Sequence, residues 1–351
     1  MKRFLSFATI ILAAVLSSST CSDGTDPGAD DREQPAISSK AKGADISWVT
    51  EMEDKGFGFY DTDGRKMECT ALMKSLGMNA IRLRVWVNPK DGYCSKEDVL
   101  VKALRVKDLG MDLLIDFHYS DWWADPGKQN VPAAWEGLSP DEMATAVHNH
   151  TVDVLTALKD KGVPVKWVQV GNEVENGMLW ESGRVHDQVA DNFVKYFNAG
   201  RSAVKQVYPD AGVVLHISNA WDWNTLSWFY QLMTDKGASY DIIGLSLYPS
   251  YYQNGNYPDW QDKTHKAVSI LTLLHSTFSK PVMMVEFGMP ASLPEKSRDC
   301  LQYLLDGTAK YDWYLGTFLW EPESEHNRNG YDYGAFAGGK PTVALEPFLN
   351  D

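Results

Sequence analysis

Lys166-Trp-Val-Gln-Val-Gly-Asn-Glu173 is a short apolar run that ends abruptly in an amide and a carboxylate. Val165, Trp167, Val168 and Val170 are β-branched or aromatic and are bounded by Pro164 and Gly171, the pattern of a short buried strand. Such a strand pushes Asn172 and Glu173 out of its carboxyl end. In a sheet covered by helices, that end is where reacting groups collect.

The same grammar repeats on both sides. Upstream, Ala44-Asp-Ile-Ser47 is a first strand, and a helix after it stops at Gly77. Asn79-Ala-Ile-Arg-Leu-Arg-Val-Trp86 alternates, with Arg82, Arg84 and Trp86 on one face. Ser95, with Asp98 three residues on, opens the next helix as a variant capping box, and Asp112-Leu-Leu-Ile-Asp-Phe-His118 is a third strand. Ser139-Pro140-Asp141-Glu142 is a capping box with proline in the first turn. Downstream, helices near 187–207, 225–236, 263–278 and 295–309 separate apolar strands at 212–217, 240–248, 281–286 and 315–320. Strands that are apolar throughout are buried on both faces, which means parallel pairing with helical crossovers. Eight such units predict an α/β fold, a single (β/α)8 TIM barrel over residues 43–351. No glycine-rich phosphate loop follows the early strands, which removes the main nucleotide-binding alternative.

With 351 residues, 44% of them hydrophobic, the chain can bury a large core. Thirteen Trp, sixteen Tyr and thirteen Phe suit a core or a groove that stacks on flat apolar ligand faces. A formal net charge of −14 argues against nucleic acid, which needs a basic footprint. It fits a soluble protein, expected to be monomeric, acting on a neutral partner.

Lys2 and Arg3 precede an apolar run at residues 4–16, the length of a signal peptide and too short to span a bilayer. Residues 1–20 are expected to be that signal peptide and 21–42 a flexible acidic tether. Cys21, directly after the run, resembles a bacterial lipoprotein cleavage site, although Ser18 and Thr20 depart from the usual residues. The expectation is a lipidated Cys21 and an outer-membrane, cell-surface lipoprotein whose only membrane contact is the anchor. Ordinary secretion or a periplasmic location is the alternative. Cys69, Cys94 and Cys300 lack the spacing of a redox or zinc motif and are expected to be structural, with a Cys69–Cys94 bridge left open.

Polar residues at the strand ends converge on one face of such a barrel: Asp45, Arg84, Trp86, His118, Asn172, Glu173, His216, Tyr248, Glu286, Trp320 and Glu321. Glu173 and Glu286, ending the fourth and seventh strands, dominate. There is no nucleophile elbow and no HExxH, and neither a metal nor a cofactor is expected. Paired carboxylates in an aromatic groove are the equipment of glycoside hydrolysis: one must hold a proton while the other is ionised. Asn172 would meet the sugar 2-hydroxyl, and Arg84 near Glu286 would favour its ionised form. The competing account is that each glutamate forms a buried structural ion pair with Arg82 or Arg84. Position at opposite strand ends favours catalysis. Trp122 and Trp221, in strand-end loops, are candidate sugar platforms, whereas Trp228 is placed in a helix and in the core. Asp116 and Glu175 are read as carboxylates without a catalytic role.

Several segments resemble glycoside hydrolase family 53, the retaining endo-β-1,4-galactanases. They are Gly43-Ala-Asp-Ile-Ser47, Arg82-Leu-Arg-Val-Trp86, Leu114-Ile-Asp-Phe-His-Tyr-Ser-Asp121, Trp123-Ala-Asp-Pro-Gly-Lys-Gln129, Gln169-Val-Gly-Asn-Glu173, Gly244-Leu-Ser-Leu-Tyr-Pro249, Val285-Glu286 and Trp320-Glu-Pro322. The resemblance implies a (β/α)8 barrel that cleaves galactan side chains of pectin, with Glu173 as acid/base and Glu286 as nucleophile. Asp121 joins the implied substrate contacts through the same motif. The calcium site of some bacterial members is not expected, because the loop 287–294 lacks carboxylates near its start. The same chemistry on mannan or cellulose, and a non-catalytic glycan-binding protein, are the alternatives; the presence of both glutamates argues against the second.

Overall fold

The computed structural model describes residues 40–325 and 330–349. The signal peptide, nearly all of the tether and Cys21 lie outside the described residues.

Eight strands close into a parallel barrel: β1 (Ala41–Asp45), β2 (Ala80–Val85), β3 (Asp112–Phe117), β4 (Trp167–Val170), β5 (Gly212–Ile217), β6 (Ile242–Leu247), β7 (Val282–Phe287) and β8 (Tyr314–Trp320), with β8 closing on β1. Helices α1 (Cys69–Ser75), α2 (Lys96–Asp108), α3 (Pro140–Asp160), α4 (Asp191–Val207), α5 (Trp223–Asp235), α6 (Gln261–Phe278) and α7 (Pro294–Thr308) lie between successive strands. The barrel read from the sequence is the barrel observed. β4, β6 and β7 are buried at every position, which is why they read as largely apolar runs, whereas β2 is equally buried but alternates because Arg82 and Arg84 point into the lumen.

The barrel lumen is layered. Near the strands' amino ends, Ala41, Ala80, Leu114, Trp167, Val214, Ile242, Met283, Val285 and Phe318 form an apolar plug. A Cβ on Gly43 would lie 2.2 Å from the Phe318 ring, so glycine there lets the ring fill the lumen. Above the plug the lumen turns polar: Asp45, Arg82, Arg84, Asp116, Gln169 and His216 are all fully buried. Buried charges require partners. Those partners build the site.

Boundaries differ in detail. β1 starts at Ala41, not Ala44, because it pairs in register with β8 from Ala41 opposite Gly316 to Asp45 opposite Trp320. The barrel therefore begins two residues before position 43. Ser139 and Glu142 form the reciprocal capping box as read. Ser95 does cap α2, but Asp98 turns to the Cys94 N–H, at 2.6 Å, instead of returning to Ser95. Two-residue pairings, Phe59–Tyr60 with Lys66–Met67 and Phe336–Ala337 with Lys340–Pro341, were too short to leave a periodic signal. Cys69, Cys94 and Cys300 are free and buried, so the Cys69–Cys94 bridge left open by the sequence is not formed.

Candidate active site

Glu173 follows a tight turn. Gly171 is left-handed (φ 83°), and Glu173 itself has φ 47°. That region costs a residue with a side chain roughly 1–2 kcal/mol, so the surroundings must hold it there. His216 on β5 does so. Its Nδ1 accepts the Glu173 N–H at 3.3 Å and the Gln169 side-chain amide at 2.9 Å. Two donors on Nδ1 put the ring proton on Nε2, which meets Ser246 Oγ at 2.8 Å. Ser246 in turn donates to Glu173 Oε1 at 2.7 Å. One ring of hydrogen bonds thus fixes both the backbone and the carboxyl of Glu173. Burial, with help from the Arg82 charge, holds the His216 pKa well below its usual range, so the imidazole is neutral.

Glu286, on β7, is 6% exposed. Arg82 lies 3.0 Å from its Oε1, and Tyr248 donates to its Oε2 at 2.9 Å. The same guanidinium holds Asp45 at 2.7 Å, Asp116 at 2.9 Å and the Asn172 carbonyl at 3.0 Å. Burial raises the pKa of both glutamates. For Glu286 the Arg82 charge and the Tyr248 hydroxyl oppose that rise. Glu173 is pushed further up by the Glu286 charge, with only Ser246 opposing, and lies well above the carboxylate range. Two carboxyls with pKa values driven apart in this direction leave the proton on Glu173 when Glu286 has lost its own.

Both line a cleft of about 710 Å³ with His118, Trp123, Trp320 and Tyr331 on one side and Ser218, Asn219, Trp221 and Lys263 on the other. An adjoining pocket of about 410 Å³ shares Trp123, Trp320 and Tyr331 and continues over Trp48, Trp86 and Trp122. Trp48 meets Trp320, Trp123 and Tyr331 edge-on at 5.3, 5.8 and 5.8 Å. Beneath them Arg84 lies 4.1 Å from the Trp123 ring and 5.0 Å from Trp86. This aromatic wall is packed ring against ring and presents faces and edges of the kind that pack on sugars.

The residues singled out in the sequence separate into layers. Glu173, Glu286, Asn172, His118, Trp221, Tyr248 and Trp320 line the cleft, while Trp86 and Trp122 line the adjoining pocket. Asp45 and His216 lie beneath the cleft, tied to Arg82 and to Ser246. Asp121 is outside it: its carboxylate caps the loop amides of Asn88 and Ala133 at 2.9 Å each. His118 has both nitrogens engaged, Nε2 with Asp116 at 3.0 Å and Nδ1 with the Ala124 N–H at 3.1 Å. The arginine expected beside Glu286 is Arg82, not Arg84. Both share a face of β2, but Arg82 reaches the axis where Asp45, Asp116 and Glu286 converge, and Arg84 turns to Glu321 at 3.1 Å. Asp116 and Glu175 are indeed committed elsewhere, Glu175 to the Ser218 hydroxyl and N–H. Trp228 is half-buried against the core, with its indole N–H on the Asp187 carbonyl.

Sequence reasoning missed Ser246, Tyr331, Tyr333, Asn219 and Lys263, and left Trp123 undecided. A serine inside the apolar run Leu245-Ser-Leu247 was the available signal for Ser246. Asn219, Tyr331 and Tyr333 stand in loops whose path no periodicity encodes, and Lys263 stands in the first turn of α6, where helical periodicity does not show that this end reaches the cleft. Among the described residues, no group of three or more His, Cys, Asp or Glu is placed to hold a metal ion.

The family model for glycosyl hydrolase family 53 matches residues 41–314. The chain belongs to glycosyl hydrolase family 53. An arabinogalactan endo-β-1,4-galactanase A from Emericella nidulans is 34% identical over 303 residues, covering 80% of this chain and 84% of the relative. A solved fungal β-1,4-galactanase superposes with a TM-score of 0.79 at 28% identity, covering 88% of this chain and 98% of that one. A GH53 catalytic domain from Ignisphaera aggregans gives 0.75 at 26% identity, covering 90% and 97%. The family 53 match runs from the first residue of β1 to the first residue of β8, so it covers seven of the eight barrel strands in full and not the segment before them.

Proposed function

We propose that this family 53 hydrolase is an endo-acting β-1,4-galactanase that works by double displacement with retention, Glu286 as nucleophile and Glu173 as acid/base. The observation that carries the chemistry is the opposed surroundings of the two carboxyls. Arg82 and Tyr248 stabilise the charge on Glu286, and Glu173, without an ion-pair partner among the described residues, is driven toward its protonated form by burial and by the Glu286 charge. Substrate choice is supported by the galactanase relatives at 34% and 28% identity.

In the first step Glu286 attacks the anomeric carbon while Glu173 passes its proton to the departing oxygen. As Glu286 loses its charge to the new ester bond, the electrostatic push on Glu173 falls, and its carboxyl becomes ready to take a proton from water. Water then attacks the galactosyl ester, with Glu173 as base. Asn172 is fixed by Arg82 and by its own amide bond to the Ala124 carbonyl at 2.9 Å; its second amide hydrogen is the group for the sugar 2-hydroxyl.

Incubation with linear β-1,4-galactan, mannan and carboxymethylcellulose tests the reading. Rapid loss of galactan viscosity ahead of reducing-sugar release is expected; an inert galactan with a cleaved mannan or cellulose would refute the substrate. The proposal includes an exported, surface-anchored enzyme, supported by the sequence from Met1 to Cys21. Labelled palmitate should enter the protein and be lost in Cys21→Ser; equal labelling of both would refute the anchor.

A further inference from the structure

Among the described residues, the cleft holds one cation that its chemistry does not use. Lys128, in the cleft lining, is paired with Asp125 at 3.2 Å, and Arg82, buried beneath the cleft, is spent on Asp45, Asp116 and Glu286. Lys263, in the first turn of α6, has neither an ion-pair nor a hydrogen-bond partner among the described residues. Its ammonium instead sits 4.3 Å from the centre of the Trp221 ring. Its neighbour Asp262 is taken by Lys266 at 2.8 Å.

A ring quadrupole positions an ammonium without neutralising it. The Lys263 charge therefore remains available to an anion in the cleft, and partial burial lowers its pKa because so little opposes the desolvation. A purely neutral glycan gives such a group no counter-charge. A protein of net charge −14 does not attract anions by its overall field, so a positive group here acts locally.

The side of the cleft is fixed by the proton donor. Ser246 on β6 holds the Glu173 carboxyl toward the β5–β6 arc. The oxygen that Glu173 protonates, and the sugar leaving with it, lie toward that arc, which carries Asn219, Trp221 and Lys263. The opposite arc of β8, β1, β2 and β3 carries the tryptophan wall.

We infer that Lys263, mounted on Trp221, is a specificity residue for a carboxylate-bearing sugar on the leaving-group side of the scissile bond. The inference rests on the galactanase reading above. Its ligand is chemically a uronate or aldonate at the reducing side of a β-1,4-galactan chain.

The test uses β-1,4-galacto-oligosaccharides over a series of chain lengths, each reduced to the alditol or oxidised to the aldonate at its reducing end. The quantity read is the ratio of kcat/KM for aldonate over alditol, in which any general loss of activity cancels. Wild type is expected to favour the aldonate by about 2- to 5-fold at low ionic strength, and added salt should erode the preference. Lys263→Met should bring the ratio to unity, Lys263→Glu should reverse it, and Lys263→Arg should restore it. Cleavage of both series with a ratio of unity in wild type, or a ratio unchanged in Lys263→Met, overturns the inference alone. Wild type inert on both series overturns the galactanase reading, and this inference with it.

Discussion

Strand β2 sends two arginines into the barrel, and each meets a glutamate from another strand end, yet only one pair opens to the cleft. Arg82 meets Glu286 at 3.0 Å and Arg84 meets Glu321 at 3.1 Å. Both carboxyls are pushed by burial to about 7, and in both the arginine opposes the rise. The difference lies around them. Arg82 is ringed by Asp45, Asp116, Gln169 and Asn172, and Tyr248 supplies a second donor to Glu286. Arg84 is wrapped in tryptophan, its Nε and Nη2 have no hydrogen-bond partner among the described residues, against Nε alone for Arg82, and Glu321 is fully buried on the Trp48 N–H. A buried ion pair becomes a reaction centre through access and orientation; the same pair without access holds a wall in place.

That contrast can be broken from either side. The largest effect belongs to Glu286→Gln, expected to lower kcat on galactan by more than about 10³-fold, because the covalent route is lost. Glu321→Gln, close in shape to the protonated acid, should stay within about 10-fold of wild type. Comparable losses in both, measured at saturating substrate, would erase the distinction drawn here.

Next come the arginines. Arg82→Met strands three buried carboxylates and should cost about 3–5 kcal/mol in urea unfolding. Arg84→Met leaves one carboxyl that can take up a proton, and should cost about 1–3 kcal/mol. A reversed order would mean that the tryptophan-packed pair is the main structural tie.

Tyr248→Phe removes a hydrogen bond that favours ionised Glu286, so the Glu286 pKa should rise. The acid limb of the kcat/KM profile must then move to higher pH, with about a 10-fold fall near neutrality. A profile displaced toward lower pH contradicts the assigned role.

The smallest effect is at Glu323, fully buried, whose carboxyl is raised well above its usual range by burial and by the Glu321 charge. An acid whose folded pKa is raised binds more protons folded than unfolded, so stability falls as pH climbs above the ordinary carboxylate range. Glu323→Gln should therefore gain melting temperature relative to wild type as pH rises. A difference that shrinks with pH would contradict the buried, protonated state.

The barrel and the two glutamates were legible in the sequence because burial on both faces leaves continuous apolar runs, and reactive groups must end them. Helix starts were legible where caps are chemical, as at Ser139 and Glu142. What was not legible is which side chain reaches which. Arg82 and Arg84 share a face of one strand, and only the barrel's convergence sends the deeper one to Glu286. His216 looks like a ligand in the sequence and proves to be a support, since its role depends on Ser246 from a strand thirty residues on. Tyr331, from a loop, and Lys263, from the first turn of α6, are brought together only by the closed barrel.

Azide rescue tests the central claim most directly. Glu286→Ala, given azide and an aryl β-1,4-galacto-oligosaccharide, should regain turnover and release the α-galactosyl azide, since azide enters the space left by the nucleophile. Glu173→Ala under the same conditions should release the β-galactosyl azide. A β-azide from Glu286→Ala, or wild-type activity in that variant without azide, would contradict the assignment of the two carboxyls.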